Sequence, residues 1–191
     1  MNRTLFSRNE MTKLNVDKLK ERGISVEKIA EVSYKQQSRW LSNIKMSVCR
    51  ESVYKVLSLR DTFHMVQLGA EIDRLTEEGM FKGPIQEILM QDLGVFGVDE
   101  VFGINLAGLY GAIGQTNFGD IDVNKPGIVD ELNSLGKQDG VCHTFMDDIV
   151  GAIAAAASIR VAQIHNENLA HLDYDEKDVL TIFDIEDLEE E

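Results

Sequence analysis

Three sets of carboxylates stand out in a chain otherwise short of reactive groups. Asp99 and Glu100 are adjacent, Asp147 and Asp148 are adjacent, and Asp120 and Asp122 lie just ahead of Lys125-Pro126. The first pair opens the apolar stretch 97–115 (GVDEVFGINLAGLYGAIGQ), and the second opens 145–164 (FMDDIVGAIAAAASIRVAQI). A carboxylate drawn into apolar surroundings is costly unless its charge is compensated. A divalent cation would compensate it, and Mg²⁺ takes one or two carboxylates together with phosphate and water oxygens. Lys125 would then face a phosphate as a point charge. A second reading needs no metal. Thr144 and Asp147 have the spacing of a capping box with Asp in place of the usual Glu, and acids in a first turn are favoured by the helix dipole. Adjacent helical residues point about 100° apart. At most one of each pair therefore aims at a shared ion, and the other stands behind it or serves as a base.

Other chemistries lack their residues. There is no C-x-x-C, no H-E-x-x-H and no G-x-x-x-x-G-K-[ST]. Gly108, Gly111 and Gly114 recur at every third position but follow no strand, so they are not a dinucleotide fingerprint. His64, His143, His165 and His171 lack metal-ligand spacing, and no serine sits in a nucleophile elbow.

The elements that must present these acids read as helices, and the chain reads as all-α. Ser25 can cap a helix over 26–38, with Ile24 and Ile29 in the staple relation. A helix over 47–58 follows. Ser58 and Asp61 resemble a capping pair before a helix over 59–78, which Gly79 ends. Pro84 and Pro126 suit the first turns of helices over 84–91 and 126–135, the latter closed by Gly136. The stretches 97–115 and 145–164 are apolar almost all round, so each is expected to sit centrally. Gly103, Ala107 and Gly111 in one, and Gly151, Ala155 and Ser158 in the other, suit close helix packing. Residues 116–125 are expected to form a loop.

Composition narrows the function. The chain has 191 residues, 43% apolar and 27% charged, which suits one soluble domain. Cys49 and Cys142 are its two cysteines, so no disulfide framework is expected and a cytoplasmic location is. The first residues lack the apolar core of a signal peptide, and no run reaches the length of a membrane span. Acidic residues outnumber basic ones 33 to 19, for a net charge of −14. Residues 173–191 carry ten acids and one lysine, so a domain over 1–172 followed by an acidic tail, dispensable for folding, is expected. Nucleic acid is excluded as a ligand for want of clustered Lys and Arg.

The stretch from Val98 to Ala156 resembles the phosphatidylglycerophosphatase A family. Three motifs stand in family order: Asp99-Glu100 followed by Gly103, then Asp122-Val123-Asn124-Lys125-Pro126 with Phe118 in register, then Asp147-Asp148-Ile149-Val150. The whole chain is similar to the soluble branch called low-temperature requirement C proteins, which implies a helical bundle around a central helix. Val98 replaces the Trp that precedes the Asp-Glu pair in membrane-embedded members, Gly119 replaces a basic residue, and Ile128 replaces a proline. The resemblance implies a Mg²⁺-dependent phosphomonoesterase acting on phosphatidylglycerophosphate or a related phosphate ester. Asp99, Glu100, Asp122, Asp147 and Asp148 would form the metal shell. Asp99, Asp122, Lys125 and Asp148 would be catalytic, with Lys125 holding phosphoryl oxygens and mattering more for substrate than for fold. Peripheral contact with a membrane and a homo-oligomer are also expected. Two alternatives remain: a non-enzymatic helical oligomer or adaptor in cold adaptation, and a helical Mg²⁺-dependent nucleotide pyrophosphatase. The latter usually shows E-x-x-E pairs on one helix, and here Glu186 and Glu189 have that spacing only in the tail.

Overall fold

The structure is a computed structural model that describes residues 6–94 and 96–170, with side chains through Asn168. The described residues form nine helices and no strand. They are α1 (Arg8–Glu21), α2 (Val26–Gln37), α3 (Met46–Leu57), α4 (Arg60–Glu77), α5 (Ile85–Met90), α6 (Val98–Gly108), α7 (Ala112–Asn124), α8 (Ile128–Leu135) and α9 (Met146–Ala170). The acidic tail, the boundary at residue 172, His171 and the Glu186/Glu189 pair lie outside the described residues.

The core is built around α9. Ile149, Val150, Ile153 and the alanines at 152 and 154–157 are fully buried, and α2, α3, α4, α6, α7 and α8 all pack on this helix. Small residues make such crowding possible. Gly69 of α4 lies so close that a Cβ there would come 2.3 Å from Ile149 Cδ1. The Ser33 hydroxyl of α2 donates to the Ala154 carbonyl at 2.7 Å. The expected central, small-residue helix is α9.

Several local expectations hold. Ser25 accepts from the Lys28 amide and caps α2. Gly79 takes a left-handed φ of 67° after α4, where Met80 N donates to the Leu75 carbonyl. Others need correction. Ser58 turns back to donate to the Lys55 carbonyl, so it does not cap α4. A capping box at Ser7 and Glu10 opens α1, a helix outside those expected from the sequence.

The larger correction concerns residues 97–125. They are neither one central helix nor a helix followed by a loop. Gly111, at φ 83°, breaks the chain between α6 and α7, and α7 runs through nearly all of the expected loop. The glycine series explains the corner: Gly111 supplies the left-handed turn, and Gly114 sits against the Ala107 carbonyl, which a Cβ would approach to 2.2 Å. Nor is α6 enclosed. Val98, Val101 and Ile104 are 46%, 50% and 43% exposed, so its all-round apolar pattern reflects an uncovered outer face. Among the described residues no helix is long and apolar enough to cross a membrane.

Candidate active site

Three helix ends meet at one side of the bundle. The first turns of α6 and α9 bring Asp99, Glu100, Asp147 and Asp148, and the last turn of α7 brings Asp122 and Lys125. All six line a single cavity of about 230 Å³. The sequence-predicted residues are thus brought together. Asp120 is not among them, since it turns toward the loop after α2 and pairs with Arg39 at 2.5 Å.

The spacing of the D-x-x-K-P stretch now has a physical reason. Pro126 disfavours the right-handed helical region at the residue before it. Lys125 caps α7 in a left-handed conformation instead, with φ 41°. Its ammonium returns one turn to Asp122 Oδ1 at 2.7 Å and reaches Asp147 Oδ2 at 3.0 Å and Asp148 Oδ1 at 3.9 Å. Burial alone would lower the Lys125 pKa, but Asp147 and Asp122 outweigh it and hold the ammonium above the ordinary lysine value. Lys125 is therefore the internal counter-ion of the acids. It bears on the fold through these ion pairs as well as on any substrate contact.

The start of α9 is fixed from elsewhere. The Thr144 hydroxyl donates to the Leu89 carbonyl at 2.6 Å, so the Thr144–Asp147 capping box does not form. Asp73 of α4, fully buried, accepts from the amides of Phe145 and Met146 at 3.1 and 3.0 Å and takes over the cap. Beside it Arg22 grips Glu77 with two bonds and donates to the Cys142 carbonyl, while Glu77 accepts from the Cys142 amide. Burial pushes the Asp73 carboxyl up to about 7 against the pull of those amides and of Arg22. It pushes neighbouring His143 down to about 4, so that imidazole is neutral. Nothing in the local sequence pointed to Asp73, because its partners lie some seventy residues away.

Relieved of that duty, the α9 acids face the cavity. Asp147 turns Oδ1 back to the Asp148 amide at 2.9 Å, as Asp99 Oδ1 does to the Glu100 amide at 3.0 Å. One oxygen of each thus complements its helix end, which is the part of the capping reading that survives. Asp99, Asp147 and Asp148 are 7%, 3% and 4% exposed. Burial pushes the Asp99 carboxyl up to about 6. Burial likewise raises Asp147, although Lys125 pulls it back. Burial, with the adjacent Asp147 charge, raises Asp148 well above the carboxylate range.

Two further lining residues, Asp92 and Asn133, escaped sequence reasoning. Asp92 ends the turn after α5 with φ 46°, a conformation that Asp adopts more readily than most non-glycine residues. Burial raises its carboxyl too. Its only sequence signal is the turn-like Asp-Leu-Gly. We expect Asp92→Gly to relieve both backbone strain and charge repulsion, raising the melting temperature of the metal-free protein by roughly 2–4 °C for about 1 kcal/mol. Asp92→Asn should give only the electrostatic share, and thermal melts of the two variants separate the contributions.

Six carboxylates line the cavity against one ammonium. An all-oxygen donor set suits a hard cation such as Mg²⁺, and burial of six acids that one ammonium compensates only in part is what such a cation would relieve. Among the described residues, however, no three acidic, histidine or cysteine side chains stand preassembled around a point that would hold a metal ion. Asp122, Asp147 and Asp148 close around the Lys125 ammonium instead.

Comparison with known proteins shows the family. Residues 40–163, well over half of the chain, match the family described as phosphatidylglycerophosphatase A. The uncharacterized protein YpjQ of Bacillus subtilis (strain 168) is 40% identical over 162 residues, spanning 85% of this chain and 90% of that protein. YutG of the same strain, also uncharacterized, is 43% identical over 145 residues, 76% of this chain and 86% of its own length. The crystal structure of low temperature requirement C protein from Listeria monocytogenes superposes with a TM-score of 0.78 at 38% identity, covering 82% of this chain and 97% of that one. The acids, the lysine and the helix ends that carry them all fall within the matched residues. The chain belongs to the phosphatidylglycerophosphatase A family.

Proposed function

We propose that the protein is a Mg²⁺-dependent phosphomonoesterase that hydrolyses phosphatidylglycerophosphate or a closely related phosphate ester. The observation that carries this reading is the convergence of buried carboxylates from three helix ends, with one lysine, on a small cavity. Asp99, Asp122, Asp147 and Asp148 would hold the cation, with Glu100 at the exposed edge. Bound there, Mg²⁺ supplies charge neutralisation at the phosphoryl oxygens. Lys125 orients the phosphoryl group. Asp99 accepts the Glu100 amide and pairs with no cation among the described residues, so it is the acid best placed to take a proton from the attacking water.

Size supports a headgroup as the enclosed part of the substrate. At about 230 Å³ the cavity falls below the span of typical drug-sized ligand sites. Acyl chains would remain outside it, beside the exposed Val98, Val101 and Val123 that adjoin Asp99, Glu100 and Asp122. A bilayer surface is the partner those valines suit.

The test is phosphate release from phosphatidylglycerophosphate in vesicles, from glycerol phosphates and from nucleoside triphosphates, each with Mg²⁺ and with chelator. Mg²⁺-dependent release from a monoester is expected. Pyrophosphate release from the triphosphates alone would favour a nucleotide pyrophosphatase. No release from any substrate would leave a non-enzymatic adaptor.

A further inference from the structure

Lys125 does something in this structure that its role as a phosphate ligand does not require. Its ammonium sits among the oxygens that the proposed cation would use, 2.7 Å from Asp122, 3.0 Å from Asp147 and 3.9 Å from Asp148. Asp147 and Asp148 are almost fully buried, and Lys125 is the only cation paired with them among the described residues. Mg²⁺ binds carboxylate oxygens at about 2.0–2.1 Å. A metal on the same Asp122 and Asp147 oxygens would therefore lie within contact distance of Nζ, with two positive charges facing each other in a shielded site. Both cannot stay.

We propose that Lys125 is a displaceable counter-ion. It holds the acids together in the resting protein and is driven off Asp122 and Asp147 when a divalent cation enters, which frees its ammonium for a phosphoryl oxygen. The inference rests on the metal reading given under "Proposed function". The fold provides for the exchange. The lysine backbone is fixed by its left-handed turn between α7 and Pro126, while the ammonium rides on a flexible four-carbon stem and its side chain is 26% exposed. A phosphate approaching the metal-free cavity meets acids and an engaged lysine. After cation entry it meets a compensated site and a released one. Cation first, phosphate second, is the order the geometry imposes.

The test is calorimetric and thermal titration of the full chain with Mg²⁺, comparing wild type with Lys125→Met, Lys125→Gln and Lys137→Met. The last is a control, removing an exposed charge near Asp92 that does not occupy the acids. Both Lys125 variants should melt lower than wild type in chelator. They should also bind Mg²⁺ at least about tenfold more tightly, a coupling within the usual range for linked sites. Lys137→Met should change affinity by no more than about twofold. Inorganic phosphate should bind wild type measurably only with Mg²⁺ present. Mg²⁺ affinity unchanged or weakened in the Lys125 variants overturns the displacement while leaving the metal site standing. Mg²⁺ binding by neither wild type nor variants removes the metal reading itself and the displacement with it. Phosphate binding equally well without Mg²⁺ overturns the ordered release.

Discussion

Asp148→Asn is expected to raise the melting temperature of the metal-free protein while abolishing both the proposed response to Mg²⁺ and the proposed phosphatase activity. Two like charges about 5 Å apart at an effective dielectric near 20 repel by on the order of 3 kcal/mol. Lys125 offsets only part of this, because it sits closer to Asp122 and Asp147 than to Asp148. Removing the Asp148 charge should stabilise the metal-free chain by about 2–3 kcal/mol, or roughly 4–12 °C. The sign carries a pH dependence. Burial holds Asp148 and Asp147 above the carboxylate range and Asp99 at about 6, so the folded protein binds more protons than the unfolded chain. Their contribution to stability is fully present below the ordinary carboxylate pKa near 4 and is lost as pH rises through 6 and beyond. Metal-free wild type should therefore melt lower at pH 8 than at pH 5, and Asp148→Asn should reduce that drop. If Asp148 only complemented the helix dipole, Asn would instead cost about 0.3–1 kcal/mol and leave the Mg²⁺ response intact. Melts at both pH values, with Mg²⁺ and with chelator, decide between them.

Gly114→Ala should be the most damaging single methyl group in the chain. The added Cβ would come 2.2 Å from the Ala107 carbonyl oxygen, a backbone atom of α6 that cannot rotate away. Relief requires α6 and α7 to separate, and these are the helices that carry Asp99 and Asp122. Overpacking of this kind costs about 1–3 kcal/mol and sometimes more, so a fall of roughly 2–12 °C in melting temperature is expected. Turnover should fall with it even well below the melting point, because the two acids move apart. Gly119→Ala is the control, since no atom stands within 4 Å of the added Cβ on the same helix. A variant at Gly114 that melts with wild type would show that the corner is looser than its atoms imply.

Much of this architecture was legible in the residues, for local reasons. The α9 pattern of alanines and small residues, Ser25 at α2 and Gly79 after α4 are all decided within a few positions of the chain. So was the composition of the site, since Asp99, Asp122, Lys125 and Asp148 lie in short stretches that can be matched by eye. What escaped depends on distant partners. Asp73 caps a helix that begins more than seventy residues later, and Arg22 just past the end of α1, with Glu77 of α4, holds Cys142. Asp92 is an isolated acid until the fold sets it beside Asp99. The α6–α7 corner misled for another reason. Three glycines in an apolar run suit one tightly packed helix as well as they suit a break, and only the contact between Gly114 and the Ala107 carbonyl separates the two.

The placement of α9 has a consequence for how the molecule comes apart. Six helices share this one partner, and its residues 149–157 are all buried. No subset of those six can keep its buried surface once α9 leaves, so the bundle has few ways to open in part. The amides of that stretch should exchange with solvent only through global unfolding, in a single cooperative step. The two acids at the head of α9 share that fate: the cavity has no separate stability of its own, and it persists for as long as the whole bundle does.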